Sequence, residues 1–206
     1  MRVLFFLILI ITLQSCATKK YTKTRLLPEG IKSATEEIYV IVNSQKKLLH
    51  KKKMVFTKNG RIKHSKTFDA EGNVLQETKK KLWFVVELYP DKETYYCKTR
   101  WKPNQRERIS CYSKKQYKQN EGIYHYNKDG TIAKIVDNFT TFQTQYFYYA
   151  NKELSKIITK DKNDNLLDKI VVNCETKDEK GTCLKETRIS TKTNHKEEIL
   201  LSPIYY

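Results

Sequence analysis

The chain has 206 residues, of which 39% are hydrophobic and 12% aromatic, and 40 Lys and Arg stand against 23 Asp and Glu for a formal net charge of +17. Its 14 Tyr, 8 Phe and 2 Trp argue against a disordered chain, and its length fits one domain by default, or two small ones. Lys outnumbers Arg 33 to 7. Lys is a hydrated point charge rather than a bidentate fork, so specific nucleic-acid reading is disfavoured.

The chain begins with Met1-Arg2, then eleven uncharged residues from Val3 to Leu13, then Gln14-Ser15-Cys16. A membrane-spanning helix needs about 20 apolar residues. The run therefore suits a cleaved export signal over residues 1–15 better than a permanent span. Leu13-Gln14-Ser15-Cys16 resembles the lipobox of bacterial lipoproteins, with Gln14 departing from the small residue most common at its place. The resemblance implies diacylglyceryl attachment to the Cys16 sulfur, cleavage between Ser15 and Cys16, and acylation of the new amino terminus. Several acyl chains, each methylene contributing about 0.8 kcal/mol, would hold the chain stably on a membrane. The residues after the cysteine, Ala17-Thr18-Lys19-Lys20, include no Asp. By resemblance to lipoprotein sorting signals, that favours a lipid-anchored position at the outer membrane, facing the periplasm.

Residues 16–37 carry few large apolar side chains and include Pro28 and Gly30, which reads as a lipidated start and tether. Residues 38–206 form the expected β-rich domain. Alternation of period two and short aromatic or β-branched runs between turn formers predict an antiparallel meander of hairpins, closed into a small barrel or left as an open curled sheet.

A short unit recurs along this domain: an aromatic, a turn former four places on, and an aliphatic six places on. Phe56 to Ile62, Phe68 to Val74 and Tyr126 to Ile132 are copies, with degenerate ones at Tyr148 to Leu154 and Lys160 to Leu166. Each reads as a strand end, a turn accepting positive φ, and a returning strand. The unit resembles the YD and RHS-type repeats of bacterial surface proteins and, with the lipobox, lipoproteins of the Bacteroidota. Residues 79–119 interrupt it.

Once Cys16 is committed to lipid, Cys97, Cys111, Cys174 and Cys183 form an even set. Hairpins centred near Asn104 and on Lys177 to Gly181 would set Cys97 against Cys111 and Cys174 near Cys183, close enough for disulfides. Free buried thiols are the second reading. Zinc is disfavoured, because it prefers short C-x-x-C pairs.

The aromatics crowd between Tyr124 and Tyr149, and Tyr124, Tyr126, Tyr146 and Tyr148 are the candidate binding face. The competing reading is a strand buried on both sides, with cross-strand aromatic pairing as the reason. The Lys clusters at Lys46-Lys47, Lys51 to Lys53 and Lys79 to Lys81 either contact anionic lipid or acidic glycan, or occupy the solvent-facing alternate positions of strands and guard their edges.

No catalytic motif is present: no G-x-S-x-G, H-E-x-x-H, P-loop or G-x-G-x-x-G. His50, His64, His125 and His195 lie far apart. Asp161, Asn163 and Asn165 lack the Gly and distal Glu of an EF-hand and read as a turn. No metal or cofactor is expected. The expectation is a non-enzymatic, lipid-anchored envelope protein that binds or scaffolds, its partner an anionic lipid, a glycan or an envelope protein. The alternative is an accessory or immunity-type lipoprotein that captures a toxin or assists an envelope assembly machine.

Overall fold

The computed structural model describes residues 27, 30–58, 60–81, 84–90, 94–102 and 106–206, with the backbone alone at positions 101, 102 and 106. The expected signal peptide over residues 1–15, Cys16 and Asn104 lie outside the described residues. Among the described residues, fourteen strands follow in chain order: β1 (Ile31–Val42), β2 (Gln45–Phe56), β3 (Ile62–Phe68), β4 (Val74–Lys80), β5 (Val85–Leu88), β6 (Tyr95–Lys102) and β7 (Arg106–Tyr112), then β8 (Lys118–Tyr126), β9 (Ile132–Asp137), β10 (Thr144–Ala150), β11 (Glu153–Lys160), β12 (Leu166–Lys177), β13 (Cys183–Ser190) and β14 (Lys196–Tyr205). Each pairs antiparallel with its neighbours in sequence, and β14 pairs with β1 from Ile31↔Tyr205 to Ile41↔Lys196. The meander therefore closes into a barrel, which removes the exposed edges an open sheet would leave.

The recurring unit of the sequence is the device that turns the chain. At Thr57, Asp69, Ser113, Asn127, Asp161 and Asp178, the backbone N–H donates to the carbonyl four residues on, and the N–H three residues on donates back. The fourth residue of each loop has positive φ: Gly60, Gly72, Gln116, Gly130, Asp164 and Gly181. This is a type I turn closed by a left-handed residue, a standard short hairpin connection. The opening side chain reinforces it, as Asp69 Oδ1 accepts from the Asn73 N–H at 2.7 Å and Asp178 Oδ1 from the Thr182 N–H at 2.8 Å.

Two details differ from the sequence reading. The loop at Ser113 repeats the device inside the stretch that interrupts the unit, because Gln116 takes the left-handed position without being glycine. At Tyr148 to Leu154 the hairpin is a tighter two-residue turn, with Asn151 and Lys152 both at positive φ.

The tether boundary also moves. β1 begins at Ile31, six residues before the expected limit at 37, and Ile31, Ala34 and Glu36 are buried. The polar side chains of Ser33, Thr35 and Glu37 alternate with these buried positions. Period-two amphipathicity in so polar a stretch was too faint to separate from a linker.

Alternation divides the wall into two faces. Outward positions carry ion pairs: Lys51 with Glu37, Lys46 with Glu198, Lys185 with Glu175, and His64, Lys66 and Lys79 around Glu77. A hydrocarbon-facing barrel pays about 2 to 4 kcal/mol for each such cation near the bilayer midplane, so this outer wall suits water. At the end of the barrel where β1 begins and β2 and β14 finish, Ile31, Ala34, Met54 and Phe56 form a buried cluster, covered by Leu27, Ile62, Leu201 and Tyr205.

Candidate functional site

The inward face of the later strands is apolar. Register places Phe147, Ile157 and Ile170 in one cross-strand row, and Glu186, Ile199 and Ile38 in another. Of these, Phe147, Ile157, Ile170, Glu186 and Ile199 line a cavity of about 500 Å³ that also reaches Leu27, Met54, Ile135, Leu154 and Leu201. That size falls within the range of small-molecule sites, which are mostly apolar with a few placed polar groups.

Here the polar groups sit inside an apolar wall. The Arg188 Nε–H donates to Glu186 Oε1 at 2.7 Å, and both residues line the cavity. Glu36 lines it too, although only 6% exposed. The Tyr149 hydroxyl donates to the Ile132 carbonyl at 2.9 Å, and burial pushes its pKa up to about 12, so it stays a neutral donor. Lys152, Glu153 and Lys177 stand where strands β10 to β12 end, with Lys177 paired to Glu153.

A second polar group is buried between β7 and β8. The Tyr126 hydroxyl donates to Glu107 Oε2 at 2.6 Å. Desolvation raises the Glu107 pKa, against the lowering effects of that hydrogen bond and of the Lys80 charge. A carboxyl with a raised pKa favours the fold most when protonated, so its contribution is present at acid pH and is lost as pH rises through its folded pKa. Glu107→Gln is therefore expected to gain stability relative to the parent as pH goes from 4 to 8, read from urea midpoints at both ends; parallel curves would disprove the linkage.

The four candidate tyrosines do not share a face. Tyr124 stands in the row of Ile135 and Gln145, and Gln145 and Ile135 line the cavity, while Tyr126 reaches the buried Glu107. Tyr146 and Tyr148 are on the outer wall, where Lys134 and Lys160 approach the Tyr146 ring and Lys156 lies 4.5 Å from the Tyr148 centroid. The reason is register. Tyr146 pairs with Lys134 while Gln145 pairs with Ile135, so the inward row from Tyr124 passes one residue to the side of Tyr146. A one-residue offset exchanges faces, and cross-strand register is not written in local sequence.

The structure joins Cys97 to Cys111 and Cys174 to Cys183. Cys97 and Cys111 are direct cross-strand partners. Cys174 opposes Glu186 instead, and bulges after it carry the hairpin end around to bring Cys183 within reach. Glu87 lies close to Cys97 and Cys111, but both sulfurs are committed to the bridge and offer no thiolate to a metal. At the stretch resembling part of a calcium loop, Asp161 Oδ1 accepts from the Asn163 and Asn165 N–H groups, which is a turn. The lining set Ile135, Phe147, Ile157, Ile170 and Ile199 escaped sequence reasoning, because alternation marks one face of each strand as apolar without saying that the barrel leaves space between them.

The fold and site thus define a closed antiparallel β-barrel with an internal, largely apolar cavity. No protein-family model matches the chain, and no curated protein matches it. Among solved structures, it is similar to a LolA superfamily protein from Nitrosomonas europaea, with 8% identity over 90% of this chain and 92% of that one and a TM-score of 0.44. A porin-like protein from Bacteroides uniformis has 9% identity, a TM-score of 0.41 and coverage of 82% of this chain and 59% of its own. A DUF1329 family protein from Desulfovibrio piger has 12% identity, a TM-score of 0.35, and coverage of 85% and 86%.

Proposed function

We propose that this is a lipid-anchored protein of the bacterial envelope whose barrel binds an apolar or amphipathic small molecule in its lumen, without catalysis. The observation that carries the reading is the cavity of about 500 Å³ walled by Ile135, Phe147, Ile157, Ile170, Ile199 and Leu201. A scaffold needs no internal space, and packed interiors rarely leave voids much larger than a water molecule. The paired Arg188 and Glu186 and the neutral Tyr149 hydroxyl supply orientation for a polar group on an otherwise apolar ligand. The lipobox at Leu13 to Cys16 supports the anchor, and two disulfides fit an oxidising compartment.

Mass spectrometry of protein extracted from native membranes reads both halves of the proposal. A chain starting at Cys16 with added acyl mass, accompanied by a co-extracted apolar compound, is the expected result. For the site itself, the emission of N-phenyl-1-naphthylamine should rise on binding, and Ile135→Trp, which fills the cavity, should weaken that binding at least about tenfold, or about 1.4 kcal/mol. Unchanged probe affinity in a folded Ile135→Trp protein would sink the lumen reading.

A further inference from the structure

The two ends of the barrel are not equivalent. At one end lie the loops β2–β3, β4–β5, β8–β9, β10–β11 and β12–β13, the start of β1 and the end of β14. The other end carries β1–β2, β3–β4, β7–β8, β9–β10, β11–β12 and β13–β14. The cavity belongs to the first end, because Leu27, Lys152, Lys177, Gly181, Thr182 and Cys183 line it. The chain also enters there. The Tyr206 N–H donates to the Gly30 carbonyl at 3.0 Å, which holds the point of entry beside the final residue.

Charge separates the ends further. Among the described loop residues of the first end, Lys58, Arg61, Lys81, Lys128, Lys152 and Lys180 face Asp129, Asp178 and Glu179. At the other end, Lys114, Lys115, Lys162 and Lys192 are balanced by Asp69, Glu71, Asp161 and Asp164.

From these placements, and resting on the anchor and lumen reading above, we propose that the first end docks on an anionic phospholipid bilayer with the cavity mouth facing it, so that ligand passes between bilayer and lumen without crossing bulk water. Chain length agrees. From Cys16 to Leu27, which packs against the cluster at the first end, is 11 residues, a reach of at most about 40 Å. Strands of 12 residues, tilted as barrels require, give a wall of about 30 Å. That reach holds the first end near the lipid surface, whereas presenting the other end would take up most of it along the wall. The excess of Lys gives that surface its electrostatic partner, since basic groups near anionic lipid are attracted within a Debye length.

The test uses the full lipidated chain reconstituted in vesicles of phosphatidylcholine with phosphatidylglycerol, containing a lipid spin-labelled at its headgroup. A fluorophore is placed on Lys81→Cys at the first end, Lys115→Cys at the other, or Asn173→Cys on the outer wall. Quenching is expected to be at least about threefold stronger for the first label than for either other, and to lose most of that advantage when Lys58, Lys152 and Lys180 are replaced by Glu. Equal quenching of all three labels, strongest quenching at Lys115→Cys or Asn173→Cys, or no effect of charge reversal would overturn the docking. Naphthylamine binding by the same samples separates the two proposals: retained binding with equal quenching removes the docking alone, and absent binding with the expected quenching removes the lumen reading alone.

Discussion

Replacing Phe56 by Ala is expected to lower stability by about 3 to 5 kcal/mol, the cost of emptying a large aromatic site in a closed core. Phe56 is 2% exposed and packs with Ile31, Ala34 and Met54. Leu27, Ile62, Leu201 and Tyr205 cover that cluster, which gathers the start of the first strand, the return into the third and the end of the last. The Tyr206 hydroxyl donates to the Phe56 carbonyl at 3.2 Å, adding a polar tie at the same place. Phe56 therefore stabilises the seam where β14 meets β1, and its loss should loosen that seam before the far wall. For a chain of this size, the change corresponds to a fall in Tm of about 10 °C or more, checked by thermal unfolding, with hydrogen exchange at β1 and β14 reporting the local effect. A loss below about 1 kcal/mol would mean that the end of the barrel repacks and the cluster is not a closed core.

Removal of the Cys97–Cys111 bridge by a double change to Ser is expected to cost about 3 kcal/mol, as tying ends 14 residues apart restricts the unfolded chain. The bridge also spans the wall beside β5, whose four residues, Val85–Leu88, make it a weak place in the sheet. Without it the β6–β7 hairpin must hold by backbone pairing and by the burial of Ser110, Glu107 and Val86 around it. Cys174–Cys183, closing 9 residues, should contribute somewhat less, about 2.5 kcal/mol. Its loss should also disturb probe binding, because both cysteines belong to the cavity lining. Urea unfolding of each double variant measures the costs, and non-reducing peptide mapping checks the bonds; four free thiols would refute both and remove an argument for an oxidising compartment.

Much of this protein was legible without coordinates, because the relevant physics is local. Alternating side chains mark strands, since successive residues point to opposite faces. The unit running from Phe56 to Ile62 and from Phe68 to Val74 marks hairpins, since a positive φ favours Gly or a small polar residue at one position of a five-residue loop. Two cysteines flanking a short turn stand near each other for the same reason. The all-β class, the meander and both cysteine pairings follow from such short-range rules.

Closure and the cavity do not. Whether β14 meets β1 depends on twist and stagger accumulated over fourteen strands, and no local stretch of sequence encodes the sum. Register decided that Tyr124 and Tyr126 look inward while Tyr146 and Tyr148 look outward, a choice turning on a single-residue offset across β9. The space between Ile135, Phe147 and Ile199 exists because a wall this long encloses more volume than its side chains fill, and that balance is fixed only when the barrel has closed.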